Sequence, residues 1–375
     1  MSGNWAPEGD QASAAPPHLS VDDYLKGILA RDRGVLARAI TLIESSRPDD
    51  QDAARELVNH ILPYTGKSLR VALTGVPGAG KSALIDCLGS LLTGRGYRVA
   101  VLSIDPSSVR TGGSVLGDKT RMVKLSTDPN AFIRPSPSGL VLGGIARQTR
   151  ETMLLCEAGG YGIVMIETVG VGQSEVTVAE MTDFLMVLMV AGAGDELQGI
   201  KRGLLELADL IVITKADGDN VVRARQAGEK YAFAMSLLAD AKQGPAPVVT
   251  CSALDGTGVD EIWKIITSRT TERERLGYLK KRRNEQNVKW VWSLVEQHVR
   301  DMLRNDPDVG AVANQAEAQV VDGTLCPVTA ADRIIRALFN SASRLATIRR
   351  SGPPDQPRAA LTQEKSVPLR RGFDE

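Results

Sequence analysis

The chain has no excess of charge of either sign: 45 lysines and arginines face 45 aspartates and glutamates, a formal net charge of zero over 375 residues. Without a basic footprint it has no electrostatic means of gathering phosphate backbones or anionic headgroups, so nucleic acid is not expected as a partner. Cysteine is scarce too. Cys87, Cys156, Cys251 and Cys326 stand far apart with no C-x-x-C pair, and His18, His60 and His298 are equally scattered. This spacing argues against a metal cluster and reads as small buried thiols in a reducing compartment. No apolar run reaches the roughly 18 residues of a membrane span. The N-terminal stretch MSGNWAPEGDQASAAPPH carries acids and prolines where a signal peptide has an apolar centre. The expectation is a cytoplasmic protein with no membrane anchor. At this length it can hold one large core and a smaller element.

What the sequence does have is Gly75-Val76-Pro77-Gly78-Ala79-Gly80-Lys81-Ser82, followed by Ala83 and preceded by the apolar run Val71-Ala72-Leu73. It fits G-x-x-x-x-G-K-[ST] between a strand and an amphipathic helix, which is the setting of a phosphate-binding loop. The glycines let successive N–H groups turn inward onto a nucleotide's phosphates, and the helix that starts near Lys81 adds its positive end. Lys81 would reach the β and γ phosphates, and the Ser82 hydroxyl would ligate Mg²⁺. The alternative, a glycine turn that happens to match, lacks a reason for strand, loop and helix to agree.

The segments around the loop set the architecture. Residues 1–19 are rich in Ala, Pro, Gly and Ser and are expected to be disordered. From 20 to 66 the spacing predicts short helices, one capped by Ser20 and one by Asp49-Asp50, forming an N-terminal arm. From 67 to 269, apolar runs at Val71–Thr74, Val99–Ile104, Ile163–Ile166, Phe184–Val190, Leu210–Thr214 and Val248–Cys251 alternate with helices. That alternation predicts an α/β fold with a doubly wound, mostly parallel sheet covered on both faces. Residues 270–350 turn helical and charged. Val288, Val291, Trp292, Val295 and Val299 share one stripe of a long helix, with two tryptophans read as exposed on one face. Lys280-Lys281-Arg282-Arg283 before it reads as a solvated basic face. Residues 351–375 have proline and charge without periodicity and are expected to be disordered.

Ligands of such sheets sit at the C-terminal strand ends, so the loops there carry the candidate chemistry. Asp105 closes one strand and is placed to hold Mg²⁺ or its waters. Glu167 closes another, three residues before Gly170, in the form of a Walker B acid followed by a glycine whose amide senses the γ-phosphate. Glu167 is longer than the commoner Asp and is expected to reach the ion through water. Lys215-Ala216-Asp217 ends a third strand and Ser252-Ala253-Leu254 follows the last. Asp217 can accept from guanine N1–H and N2–H₂, donors that adenine lacks; the Lys215 stem can stack on the base and the Ala253 N–H can meet O6. This favours GTP over ATP.

These segments resemble the methylmalonyl-CoA mutase-associated GTPase family, G-protein chaperones of adenosylcobalamin-dependent acyl-CoA mutases, also labelled arginine/ornithine transport ATPases. The match lies in GVPGAGKS, IDPSS, TGGSVLGDKTRM, FIRPSPSGLVLGGIARQT, ETVGVGQSE, AGAGDELQGIKRGLLELAD, TKADGDN and CSAL, and covers roughly 20–345. The resemblance implies that Asp105–Arg121 is switch I, with Asp118 near the metal, that Glu167–Glu175 is switch II, and that Gly192–Lys201 is a third switch communicating with the mutase. It also implies a homodimer built on the C-terminal helices. Thr214 departs from the family, where Asn is commoner. Two rivals remain: an ATPase or kinase of amino-acid transport, and a nickel-insertion GTPase, which needs clustered Cys and His.

Overall fold

The computed structural model describes residues 19–45, 47–104, 121–136, 142–168, 174–191, 202–238 and 244–350. Asp105, Asp118, Gly170, most of the expected switches, residues 1–18 of the expected disordered N-terminus (1–19) and the expected disordered tail (351–375) lie outside the described residues, whereas Leu19 packs against the core.

Seven strands, β1 Leu69–Gly75, β2 Val99–Ile104, β3 Ala131–Ser136, β4 Ile163–Thr168, β5 Phe184–Val190, β6 Leu210–Thr214 and β7 Val248–Thr250, form one sheet in the order β3-β2-β4-β1-β5-β6-β7. Every pairing is parallel. The helices are α1 Val21–Leu29, α2 Arg33–Glu44, α3 Pro48–Ile61, α4 Lys81–Gly94, α5 Val123–Thr127, α6 Leu142–Ala158, α7 Ser174–Ala179, α8 Arg202–Leu207, α9 Val221–Leu238, α10 Val259–Arg275, α11 Tyr278–Asn305, α12 Pro307–Val321 and α13 Pro327–Arg350. From β1 the chain builds β2, β3 and β4 on one side and β5 to β7 on the other, so the strand order switches direction at β1. Such a switch opens a crevice above the strand's C-terminal end. The phosphate loop leaves β1 at that point.

Alternate residues of each buried strand feed two cores, as a sheet covered on both faces requires. Val71 and Leu73 pack with Leu84, Ile85 and Leu88 of α4 and with Ile262 and Ile266 of α10. Ala72, Val164 and Ile166 belong to the other core, which takes Ile28 of α1, Leu36 and Ile40 of α2, and Leu57 and Ile61 of α3. The helices before the phosphate loop are therefore part of the sheet's own packing.

Several local expectations meet a different structure. The α1 cap is as read, Ser20 accepting from the Asp23 N–H at 3.1 Å. The α3 cap is not: Arg47 is its N-cap and Pro48 takes the first helical position, where its missing N–H costs nothing. Asp49 and Asp50 fall in the first turn, and Asp50 accepts from the Ser45 hydroxyl at 2.6 Å. β3 escaped the pattern because Arg134 and Pro135 interrupt it, which an edge strand paired only to β2 tolerates. In the basic run, Lys280 and Lys281 are exposed, but Arg282 and Arg283 are half-buried and bonded to carbonyls and carboxylates of the sheet domain. The two tryptophans also part company. Trp292 is 63% exposed, whereas Trp290 is partly buried with the Arg150 guanidinium 5.1 Å from its ring centre.

The chain divides into two compact units, Met1–Leu294 and Val295–Glu375, with the divide inside α11. In the second unit Asp306 caps α12, accepting from the N–H groups of Asp308 and Val309, and the Ser341 hydroxyl of α13 donates to the same carboxylate. Val288, Val291, Val295 and Val299 are all exposed along α11.

Candidate functional site

At the end of β1 the backbone turns at Gly75, φ 144°, where an added Cβ would stand 2.1 Å from the Leu188 carbonyl oxygen of β5. Only glycine lets the loop leave so close to the neighbouring strand. Gly80 then caps α4 in the left-handed conformation, φ 78°, and Lys81 opens the helix. The Lys81 ammonium is buried and donates to the carbonyls of Gly75 at 2.9 Å and Val76 at 3.1 Å. Its charge is thus fixed at the loop's mouth, beside the positive end of α4.

Ser82 and Glu167 come together across 85 positions of sequence: the Ser82 hydroxyl donates to the Glu167 carboxylate at 2.8 Å. Ser103, the penultimate residue of β2, lies 3.5 Å from the second carboxylate oxygen. One position on, the Thr168 hydroxyl donates to that of Thr74 at 2.8 Å, tying the end of β4 to the end of β1. A cavity of about 530 Å³ lies above these groups, lined by Gly78, Lys81, Ser82, Ser103, Glu167, Arg121 and Lys215 among others. Ser103, Thr74 and Thr168 were not among the candidates. Their signal was there: each is a hydroxyl residue near the end of a mostly apolar buried strand.

The residues read as contacting a base form a second cluster at the ends of β6 and β7. The Ser252 hydroxyl donates to the Asp217 carboxylate at 2.7 Å and accepts from the Leu254 N–H at 3.2 Å. The Ala216 N–H donates to the Cys251 carbonyl at 3.0 Å, so the two loops are joined by their backbones. Lys215 has φ 58°, a left-handed conformation held by the Asn220 side-chain amide, which donates to its carbonyl at 2.7 Å. Burial pushes the Cys251 thiol up to about 12, leaving it inert beneath the loop. Of the four thiols only Cys326 is exposed.

Thr214 links the clusters. Its hydroxyl lies 2.7 Å from the Ala79 carbonyl of the phosphate loop and 3.0 Å from the Met189 carbonyl of β5. The hydroxyl alone reaches the loop, although a commoner residue here would bring an amide.

A family model described as methylmalonyl Co-A mutase-associated GTPase MeaB matches residues 36–308. The chain belongs to this family. The GTPase ArgK of Escherichia coli (strain K12) is 47% identical to it over 299 residues, 80% of this chain and 90% of that protein. The methylmalonic aciduria type A homolog, mitochondrial, of Mus musculus is 44% identical over 328 residues, 84% of this chain and 79% of that protein. Among solved structures, a LAO/AO transport system kinase superposes with a TM-score of 0.68 at 37% identity, covering 86% of this chain and 99% of that one. This member of the family is a P-loop GTPase that hydrolyses GTP. Among the described residues of the GTPase, no helix is long and apolar enough to cross a membrane.

Proposed function

We propose that this GTPase works on Mg²⁺·GTP and serves as the chaperone of an adenosylcobalamin-dependent acyl-CoA mutase of the methylmalonyl-CoA mutase type, timing the loading, release or protection of its cofactor. The observation that carries the reading is the match of residues 36–308 to a family described by its association with that mutase. The Mus musculus relative, named for methylmalonic aciduria, points the same way.

The donor set suits the ion. Ser82 and Glu167 offer hard oxygen ligands 2.8 Å apart, and Mg²⁺ takes one or two protein oxygens while keeping phosphate and water for the rest. When bound, the ion would neutralise charge on the β and γ phosphates. The protein's own part is positional. Lys81 presents a fixed cation to the transferred phosphoryl group, the loop amides and the end of α4 bind the phosphates, and Glu167 with the segment after it orients the attacking water. Asp217, held by Ser252, would accept the two guanine donors while Lys215 covers the base. Asp105, Asp118 and Gly170 complete this reading as metal-side and γ-phosphate groups. Among the described residues no general base stands out, which fits slow intrinsic turnover raised by the partner, with Arg121 on the cavity wall as a source of added positive charge. A homodimer joined through the C-terminal helices belongs to the same proposal.

Similarity to a LAO/AO transport system kinase supports a second reading, an ATP-dependent transport component. That reading needs adenine preference, which a carboxylate at Asp217 opposes. Turnover of GTP and ATP, each with and without a purified adenosylcobalamin-dependent mutase, separates the two. Stimulation of GTP hydrolysis by the mutase is the expected result. ATP preference with no response to any mutase would overturn it.

A further inference from the structure

α7 follows directly on the segment that begins at Glu167, and four of the five residues at and beyond its end, Ala179, Glu180, Thr182 and Asp183, are gripped from outside. The Arg282 guanidinium donates to the Ala179 carbonyl at 3.3 Å, Arg150 to the Glu180 carbonyl at 2.8 Å, and the Gln286 amide to the Thr182 carbonyl at 2.8 Å. Lys289 meets the Glu180 carboxylate at 2.9 Å. Arg283 takes both oxygens of the fully buried Asp183 at 2.8 and 2.6 Å. Four of these five donors lie on the first half of α11. Helix ends leave carbonyls without intrahelical partners, and cations satisfy them well there.

Gln286 is the informative member. It is 5% exposed, and its side-chain oxygen has no partner among the described residues. An unpaired buried acceptor lowers stability, so an apolar residue of the same shape would fit this place better by packing alone. What Gln286 gains over such a residue is the single bond to Thr182. Arg150 supports it, donating to the Gln286 carbonyl at 3.1 Å while its guanidinium stacks on Trp290.

We infer that Gln286 and Arg283, with Arg150, are positioning residues for GTP hydrolysis: by fixing the chain behind α7 they set the place of α7, whose first residues, Ser174 and Glu175, are the rear of the stretch read as placing the attacking water. The front is already fixed by the Thr168–Thr74 and Ser82–Glu167 bonds. Groups held in place before the reaction lose less conformational freedom in the transition state. This rests on the reading of Glu167–Glu175 as the part that places the attacking water, and none of the three residues touches the cavity above the phosphate loop.

The test uses the full chain and three variants. Gln286→Met keeps the volume, removes the donor and also removes the unpaired acceptor. Its expected signature is a kcat for GTP lower on the order of ten-fold, a KM within about two-fold of wild type, and an unfolding midpoint equal to or above wild type. Arg283→Lys keeps the charge but loses the two-pronged geometry and is expected to lower kcat in the same way. Glu167→Gln reports on the underlying reading and is expected to be slowed. Wild-type kcat in Gln286→Met alongside a slowed Glu167→Gln overturns the clamp and leaves that reading in place. Wild-type rates in both overturn the two together. A lower midpoint in Gln286→Met with kcat intact assigns the residue to stability and also overturns the inference.

Discussion

At the C-terminal ends of β1, β2, β4 and β6 the polar groups, among them Lys81, Ser82, Ser103, Glu167 and Lys215, are arranged around an open cavity. At the N-terminal side of the same sheet they are carboxylate–guanidinium pairs shut away from water. Arg70 and Glu157 have side chains 8% and 1% exposed, Arg283 and Asp183 17% and 0%, and Arg273 and Asp209 15% and 6%. Two of these acids also hold strand backbones: Asp183 accepts from the Arg70 N–H at 2.9 Å and Asp209 from the Leu185 N–H at 2.7 Å. One edge can thus exchange ligands without disturbing the sheet, while the other cannot lose a partner without leaving a charge stranded. The open site and the buried ion pairs are placed at opposite ends of the strands.

The largest effects follow from crossing that division. Lys81→Ala is expected to lower GTP turnover by roughly a thousand-fold, because it removes the cation that meets the developing phosphoryl charge. Its urea midpoint should stay near wild type, since the loop backbone holds its shape through glycine and the strand ends. Asp183→Ala at the opposite edge is expected to destabilise the fold by about 3–5 kcal/mol, the usual loss when one member of a buried pair is removed. Urea denaturation of both variants beside GTP turnover checks the contrast. A Lys81→Ala protein that melts early, or an Asp183→Ala protein as stable as wild type, would break it.

The two edges also differed in how far they could be read in advance. The phosphate loop is local, eight residues whose glycines, lysine and serine act within one turn of chain, so it was legible from spacing alone. Bringing Asp217 and Ser252 together needed only the order of strands β6 and β7. The charged edge joins residues about a hundred positions apart, such as Arg283 with Asp183, and nothing in the run Lys280-Lys281-Arg282-Arg283 says which members turn inward. The same limit hid α12, whose sequence PDVGAVANQAEAQVV has few large apolar residues to mark a face.

Next in size is the base. Asp217→Asn is expected to weaken GTP binding by roughly a hundred-fold, about 2–3 kcal/mol, because an amide donor then faces the guanine donors and the Ser252 hydroxyl loses its charged acceptor. ATP affinity should be unaffected. Calorimetry with GTP, ATP and xanthosine triphosphate sharpens the comparison within the site: the phosphate half sets how tightly any nucleotide binds, the base half which one. Unchanged GTP affinity would remove Asp217 from the base site.

The smallest expected effect lies where the halves meet. Thr214 is buried at the end of β6, and its single hydroxyl proton is shared between the Ala79 carbonyl of the phosphate loop and the Met189 carbonyl of β5. Thr214→Val keeps the branched shape and removes only that proton, leaving two buried carbonyls with one donor fewer. A lost neutral hydrogen bond is worth about 1 kcal/mol, so GTP and ATP affinity are both expected to fall about five-fold. The parallel loss is the discriminating point, because the bond supports the loop that binds phosphate and does not touch the base. Thr214→Asn supplies an amide donor in the same place, and recovery of affinity in it would show that the loop needs the donor. If Thr214→Val binds both nucleotides as wild type does, the loop is held by Gly75, Gly80 and the first turn of α4 alone. If it loses GTP but keeps ATP, the residue acts on the base half, and the division drawn at Thr214 is misplaced.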